Sequence, residues 1–348
     1  MVTIKDVAKL AGVSPSTASR ALHDNKMISP ATKAKVRKAM EELNYSPNFS
    51  AQNLVKRQSN TVAIVLPARE SPQQLGNNPF FMQIIQGITS VCSQEGFMVS
   101  LATGKTEDEL LASVRVLMKS GRVDKFIFLY AKVEDTVYQA VRQNDEAMCI
   151  IVGHDETKSH ERTLFVDTDN VKAGSDVTQF LLERGYRQPL YICTDMSEIV
   201  QESRFRGFQK AVDSHHISAH YLRLTNAPSD SRHLEEALKR TPTIDAFVCC
   251  DDLTAIYVIR LLEQLKIGQS LGFISFNNSL LAELESPALT SVEIFPYDLG
   301  ETAAKLLFQR EASKSITKSL LWIPHRIVER ESTYRRKKNR FYEPHPKS

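Results

Sequence analysis

The chain has 348 residues, of which 42% are hydrophobic and 24% charged, and it carries a formal net charge of +3. This length predicts two or three domains, and the composition is that of an ordinary globular protein. No apolar run approaches the roughly 18 residues of a membrane span, and the N-terminus lacks an apolar secretory segment, so we expect a cytoplasmic protein without membrane contact.

The charges are distributed unevenly along the chain. Residues 1–60 hold ten Lys and Arg against four Asp and Glu, and residues 335–348 hold six against one. The intervening residues 61–334 hold 28 against 36. A basic N-terminal region on an acidic remainder predicts that nucleic acid contacts the N-terminal region alone. The basic tail, residues 335–348, is typical of a solvated chain end, and its role is left open.

Residues 3–22 predict two short helices joined by a tight turn. An apolar stripe at helical spacing and a capping box that starts at Thr3 mark the first helix. Gly12 is suited to end it, because glycine readily adopts the left-handed conformation. The second helix begins with Ser14 as N-cap and Pro15 at its first position. Such a pair is either a helix-turn-helix, whose second helix reads DNA, or an ordinary helical hairpin.

Two neighbouring segments favour the helix-turn-helix. Ser29-Pro30 opens a third helix with one apolar face, and residues 46–59 form a link with a short helix-capable run. This series resembles the LacI/GalR family of bacterial transcription regulators, and the opening VTIKDVAKLAGVSPSTASRAL matches the family signature at nearly every position. The resemblance implies a helix-turn-helix DNA-binding domain over residues 1–45, a homodimer and a palindromic double-stranded DNA operator. The expected DNA-binding residues are Thr3, Ser14, Pro15, Ser16, Thr17, Ser19, Arg20, Asn48, Leu54 and Lys56.

Residues 46–59 are predicted to form a hinge. A helix of about two turns is marginal alone in water, so it would form only when packed against a partner. In the resembled family this segment is a hinge helix, and two copies pair across a dimer and enter the minor groove. Leu54 falls on the position of the leucine that wedges between base pairs there. The alternative is that Leu54 merely caps the following domain.

From residue 60 onward, strands alternate with helices, a pattern that builds parallel sheets covered on both faces. There are too many strands for one small sheet, so we expect two doubly wound parallel-sheet lobes with a cleft between them. The run Phe165-Val166-Asp167 is expected to open the second lobe. The resembled family has this periplasmic-binding-protein-like body, in which the chain crosses between lobes three times, near residues 160, 290 and 322 here. The predicted lobes are residues 60–160 with 291–322, and residues 161–290 with 323–334.

The sequence lacks the motifs of common catalytic sites. Gly104-Lys105-Thr106 imitates the end of a phosphate-binding loop, but Val99 occupies the position of the required first glycine. His160-Glu161 lacks the following histidine of a zinc protease. The five cysteines lack C-x-x-C spacing and are expected to be buried, reduced thiols. We therefore expect no enzyme activity, no metal site and no cofactor.

Polar residues in the second predicted lobe are candidates for a ligand site. Arg204-Phe205-Arg206-Gly207-Phe208 matches the family pattern R-x-x-G-F, whose arginine holds the effector. Asp251 and Asn277 stand where the family has asparagine and aspartate, which is an apparent exchange of amide and carboxylate. Asp251 either binds a sugar hydroxyl or caps the following helix, and Asp252 is the better candidate for the cap.

The segment Asn78-Pro79-Phe80-Phe81 in the first predicted lobe also matches a family pattern, Asn-Pro followed by two aromatic residues. It is expected to open the first helix of the body. The two phenylalanines either fill the core or face the cleft, where an aromatic wall can stack on a sugar ring. The expected effector-binding residues are Asn78, Phe80, Phe81, Arg204, Asp251 and Asn277.

Weaker matches, around Val152-Gly153-His154 and residues 165–170, are most similar to the maltose operon repressors of Gram-positive bacteria. The resemblance implies a dimeric, effector-responsive repressor of maltose or maltodextrin genes, relieved by sugar binding in the cleft between the lobes. Two alternatives stay open. One is a catabolite-control-type regulator that uses a protein corepressor, and the other is a cytosolic sugar-binding protein or enzyme without a DNA function.

Overall fold

The structure is a computed structural model. The chain divides into two compact units, residues 1–58 and 59–348. The predicted DNA-binding residues Asn48, Leu54 and Lys56, the hinge up to residue 58 and the basic tail lie outside the described residues. The structure describes residues 2–22, 24–25, 27–45, 59–68, 78–155, 161–267, 271–312 and 319–334.

The first unit contains three helices in its described part, α1 (Ile4–Ala11), α2 (Pro15–Leu22) and α3 (Pro30–Glu42). Their shared core is small, because alanine fills most of the contact positions and lets the helices pack closely. On α2, Ala18 and Ala21 are almost completely buried. The buried core residues are Val7, Ala8, Ala18, Ala21, Val36 and Ala39.

The second unit alternates strands and helices, as predicted. Its strands are β1 (Thr61–Val65), β2 (Met98–Ala102), β3 (Lys125–Phe128), β4 (Met148–Val152), β5 (Thr163–Thr168), β6 (Pro189–Cys193), β7 (Tyr221–Arg223), β8 (Ala246–Cys249), β9 (Gly272–Phe276), β10 (Thr290–Glu293), β11 (Leu320–Ile323) and β12 (Arg326–Val328). Its helices are α4 (Pro79–Gln94), α5 (Glu107–Lys119), α6 (Thr136–Arg142), α7 (Asn170–Glu183), α8 (Ile199–Asp213), α9 (Asp230–Arg240), α10 (Asp252–Gln264), α11 (Leu280–Leu284) and α12 (Pro296–Ala312), with a 3-10 turn at Glu331–Thr333.

These strands form two six-stranded sheets within the described residues, one in each lobe. The first sheet has the order β11-β5-β4-β3-β1-β2, and the second has the order β12-β10-β9-β8-β6-β7. Neighbouring strands are parallel except for the β10–β12 pair. Buried apolar clusters lie on both faces of each sheet, so both lobes have the doubly wound architecture that the sequence predicts.

The first two crossings between the lobes come later in the chain than predicted. The run from Phe165 to Asp167 belongs to β5, which pairs with β4 and β11 in the first sheet and does not open the second lobe. Strand β10, assigned from residue 291 to the first lobe, pairs with β9 in the second. The crossings therefore follow β5, β10 and β11. A short buried strand has the same apolar pattern in either sheet, and only its pairing register assigns it to a lobe.

Glycine permits a very close crossing of α7 and α8 in the second lobe. A Cβ atom on Gly174 would lie 2.0 Å from the carbonyl oxygen of Arg204, and one on Gly207 would lie 1.9 Å from that of Val171. The glycine of the R-x-x-G-F pattern is thus explained by backbone contact between two helices. This contact fixes the position from which the Arg204 side chain extends.

None of the helices in the described part of the chain is long and apolar enough to cross a bilayer. The five cysteines are buried free thiols, as the sequence predicts.

Gly174→Ala is expected to destabilise the second unit by about 1–3 kcal/mol, because the added methyl group forces α7 away from α8. The thermal unfolding midpoint measures this loss. Gln179→Ala is the control, because this side chain on the same helix donates to the exposed Glu183 carboxylate, and it should change stability by less than about 0.5 kcal/mol. An unchanged midpoint for Gly174→Ala would contradict the close helix crossing.

Candidate effector site and nucleic-acid interface

The N-terminus of α2 is built from hydroxyl side chains. The Ser14 hydroxyl accepts a hydrogen bond from the Thr17 backbone N–H at 3.1 Å, which caps the helix. It also lies 2.9 Å from the Ser16 hydroxyl and 2.8 Å from that of Thr17. Ser14, Pro15, Ser16 and Ser19 are exposed, and Thr17 is half-buried. The turn before this helix closes at Gly12, whose φ of 66° is left-handed as predicted.

Arg20 extends from the exposed face of α2 and forms no ion pair with any residue that the structure describes. Two cations of α3 differ, since Arg37 and Lys33 lie 2.9 and 3.5 Å from the carboxylate of Asp24. An exposed guanidinium without an internal partner keeps its donors for an external acceptor. Thr3 is also exposed, but its backbone N–H and its hydroxyl both donate to the Asp6 carboxylate.

In the second unit, a cavity of about 90 Å³ lies between the two lobes, at the carboxyl ends of strands from both sheets. This is where open α/β sheets bind ligands. We call it the inner cavity. All six residues expected to bind the effector line it. Six polar residues there were missed as ligand candidates: Tyr130, Asp167, Thr168, Asn170, Glu198 and Gln201. Asp167 and Asn170 stand at a strand end like Asp251, which is the signal that could have found them.

Arg204 is buried in the floor of the inner cavity, with 5% of its surface exposed. Its Nε donates to the Asn170 side-chain oxygen at 2.9 Å, and its Nη1 donates to the Cys250 carbonyl at 2.7 Å. The guanidinium carbon lies 4.1 Å from the ring centroid of Phe276. Burial lowers the pKa of Arg204 from its ordinary value, but an arginine keeps its charge in proteins. Its remaining N–H donors are available to a ligand in the cavity.

A hydrogen-bond chain joins Arg204 to the first lobe. Asn170 accepts from Arg204 and donates through its Nδ2 to the Asp167 carboxylate at 2.9 Å. The Thr168 backbone N–H donates to the same carboxylate at 2.7 Å. Burial raises the pKa of Asp167 to about 7, although these hydrogen bonds and the charge of Arg204 act in the opposite direction. Asp167 is therefore a carboxyl group that titrates near neutral pH inside the cavity.

The helix that follows β8 is capped by Asp251, and not by its neighbour Asp252 as the sequence favoured. Asp251 is the N-cap of α10 and accepts from the Thr254 N–H at 2.7 Å while it lines the cavity. Asp252, the favoured cap candidate, is instead buried and accepts from the hydroxyls of Ser275 and Ser291 at 2.5 and 2.6 Å. The predicted cap was wrong because buried hydroxyl donors on neighbouring strands draw Asp252 into the core.

Asn277 follows β9, the sheet neighbour of β8, so it lies one strand away from Asp251. Its φ of 98° is unusual for a residue other than glycine, and asparagine is among the side chains that tolerate positive φ values best. The two exchanged residues of the sequence pattern thus line one cavity together with Arg204.

The first-lobe wall of the cavity begins at α4. Asn78 caps this helix by accepting from the Phe80 N–H at 3.2 Å, and Pro79 is its first residue, as predicted. The rings of Phe80 and Phe81 meet edge to face with centroids 5.0 Å apart. Phe80 packs against the cores of both lobes, whereas Phe81 belongs to the first. Both rings also line the cavity, so the two phenylalanines fill the core and face the cleft at the same time.

No group of three metal-ligating side chains is present among the residues that the structure describes. The site contains hydrogen-bonding groups and aromatic rings, and its arrangement is suited to binding a polar ligand between the lobes.

Comparison with known proteins agrees with this division into two units. Residues 3–48 match the family model described as bacterial regulatory proteins, lacI family, and residues 178–333 match a periplasmic binding protein-like domain. The chain is 34% identical over 343 residues to the HTH-type transcriptional regulator MalR of Streptococcus pneumoniae, which covers 94% of this chain and 99% of the relative.

Two solved structures extend the comparison. The transcriptional regulator CelR, in its complex with cellobiose, superposes with a TM-score of 0.70 and 26% identity over 95% of this chain and 100% of CelR. The Lac repressor dimer bound to operator and the anti-inducer ONPF shares the fold, with a TM-score of 0.76 and 21% identity over 95% of this chain and 99% of that one.

A helix-turn-helix unit joined to a two-lobed binding fold defines a DNA-binding transcriptional regulator. The chain belongs to the LacI family of bacterial transcriptional regulators. The resemblance found in the sequence is thereby confirmed, as is the prediction of a regulator rather than an enzyme, because the relatives are named as regulators.

The raised pKa of Asp167 gives a prediction for stability against pH. The folded state favours the protonated form of Asp167, so this carboxyl group contributes to the free energy of unfolding when it is protonated. The contribution is complete below the pKa of the unfolded state, about 4, and it is lost as pH rises through the pKa of the folded state, about 7. Asp167→Asn, which mimics the neutral acid, should therefore gain a few °C in unfolding midpoint relative to the wild type between pH 5 and pH 8. Parallel pH profiles of the two proteins would contradict the assigned titration.

Proposed function

We propose that the chain is a dimeric repressor whose affinity for a palindromic operator falls when a sugar binds in the inner cavity. The observation that carries this proposal is the meeting of Arg204, Asp251, Asn277 and Phe80 in one cavity between two lobes. A guanidinium, a carboxylate and an amide supply donors and acceptors for hydroxyl groups, and the aromatic rings supply an apolar wall. This mixture suits a neutral polyhydroxyl ligand.

The ligand class that we propose is maltose or a maltodextrin, and the regulated genes are those for its use. The names of the relatives MalR and CelR, and the cellobiose bound to CelR, support a glucose-containing oligosaccharide. A regulator of this kind acts in the bacterial cytoplasm, where its operator DNA lies.

The proposed mechanism is linkage between the two sites. The three crossings between lobes leave the inner cavity at their junction, so a ligand there favours one arrangement of the lobes over others. That change is passed to the hinge segments of a dimer, and operator affinity falls. Exposed apolar residues support a dimer: Met98 and Leu101 on edge strand β2, and Leu280 and Leu284 on α11.

A gel shift with the DNA upstream of the gene, followed by titration with maltose and maltotriose, tests this function. The complex should form without sugar and dissociate as sugar is added. A tighter complex with sugar would contradict relief of repression, and failure of every sugar tested to stabilise the protein in a thermal-shift screen would contradict the ligand class.

Arg20→Ala should weaken operator binding by roughly 1–3 kcal/mol per half-site and relax preference at one base pair, because Arg commonly donates to guanine O6 and N7. Lys38→Ala, an exposed charge loss on α3, is the matched control. Binding measured over a set of operator variants distinguishes base reading by Arg20 from a phosphate contact. An equal loss on all variants would indicate a phosphate contact in place of base reading.

Leu54→Ala tests the proposed wedge at the operator centre. Removal of the wedge should weaken specific binding and reduce DNA bending, while the second unit keeps its unfolding midpoint. Unchanged bending in a circular-permutation gel assay would refute the wedge and favour the alternative role as a cap.

Asp251 and Asn277 give a paired prediction. Asp251→Asn retains a good N-cap for α10, so the fold is kept, but it replaces an acceptor-only group by an amide. This variant and Asn277→Asp should each weaken sugar binding about tenfold, and the double variant should recover part of the loss. Calorimetric titration measures all three. Losses that simply add would show that the two side chains do not share a ligand.

A further inference from the structure

A second cavity adjoins the inner one. Its volume is about 380 Å³, and Asp167 and Asn170 line both cavities. We call it the outer cavity. It also lies between the lobes, with Val133, His154 and Trp322 on the first-lobe side and Ile199, Glu202 and Arg206 on the second-lobe side. A ligand that fills the inner cavity and extends past Asp167 would enter this space.

Trp322 is the only tryptophan of the chain, and 52% of its surface is exposed. It lies on β11 directly opposite Asp167 in the strand register, so the two side chains project from the same face of the sheet. The His154 ring packs against it edge to face at a centroid distance of 5.6 Å, and His154 packs in the same way on Phe165 at 5.5 Å. The indole is thus packed on one side, lines the cavity, and keeps about half of its surface exposed.

The facing wall on α8 is polar and mixed in charge. The Arg206 guanidinium lies 3.5 Å from the Glu202 carboxylate, and Ser203 and Asp169 lie beside this ion pair. Asp155 adds a further acidic side chain on the first-lobe side. One arginine among several carboxylates does not favour an anion, and the ion pair supplies both donors and acceptors. A flat aromatic surface opposite such groups suits a sugar ring, whose C–H face is apolar and whose rim carries hydroxyls.

We propose that the outer cavity is a second sugar subsite, in which a pyranose ring stacks on Trp322. The effector is then a neutral oligosaccharide of at least two rings, with one ring at Arg204 in the inner cavity and the next on Trp322. This inference rests on the proposed sugar binding in the inner cavity. Because both lobes line the outer cavity, each added ring contacts both of them and strengthens the coupling between ligand and lobe arrangement.

Calorimetric titration of the full chain with glucose, maltose and maltotriose tests the subsite. Trp322→Ala should weaken binding of maltose and maltotriose about tenfold and leave glucose affinity within about twofold of the wild type, because only the longer sugars reach the indole. Trp322→Phe should recover part of the loss. Tyr334→Ala, which removes another exposed aromatic ring outside both cavities, is the control and should change none of the affinities.

The unmutated protein gives a second readout, since all indole fluorescence comes from Trp322. Maltose and maltotriose should shift its emission to shorter wavelength, and glucose should not. The subsite would be overturned if Trp322→Ala lost affinity equally for all three sugars or lost none. It would also be overturned if maltotriose left the emission of the wild type unchanged. Each of these results would leave the proposed function intact. If the wild type bound none of the sugars, both the subsite and the proposed function would fall.

Discussion

The burial of the Arg204 guanidinium is the constraint on which the geometry of the cavity depends. A buried charge is tolerated only when it is hydrogen-bonded, and here the partners are the Asn170 side chain and the carbonyl of Cys250. These partners come from the start of α7 and the end of β8, so the arginine fixes two elements of the second lobe at once. The backbone contact at Gly174 holds the arginine from behind. The result is a donor group in the cavity that the protein's own hydrogen bonds hold in position.

The same network lies at the first crossing between the lobes. Asp167 is in the last part of β5, and Asn170 opens α7 only three residues later. The carboxyl group belongs to the first lobe and the amide to the second, and they are joined by one hydrogen bond. A ligand that contacts Asp167 and Arg204 therefore acts on the segment that connects the two lobes. In the proposed mechanism, its effect on operator affinity is limited to its difference in affinity for the two lobe arrangements.

Much of this architecture could be predicted from the sequence, because the helix-turn-helix pattern, the strand–helix alternation and the pattern around Arg204 are local. The errors arose where tertiary contacts decide. Buried serine hydroxyls, not helix propensity, determine that Asp252 enters the core and leaves the cap to Asp251. Pairing with β4 places β5 in the first lobe. The pKa of Asp167 comes from burial, which has no signature in a single sequence.

In the proposed function, Arg204 converts sugar binding into loss of operator binding. Fluorescence anisotropy of labelled upstream DNA, titrated with maltose, tests it in the wild type and in Arg204→Lys, which keeps the charge but loses the planar fork of donors. The two proteins should bind the operator with equal affinity without sugar, and the variant should need at least about tenfold more maltose for release. Release of both proteins at the same maltose concentration would contradict the account.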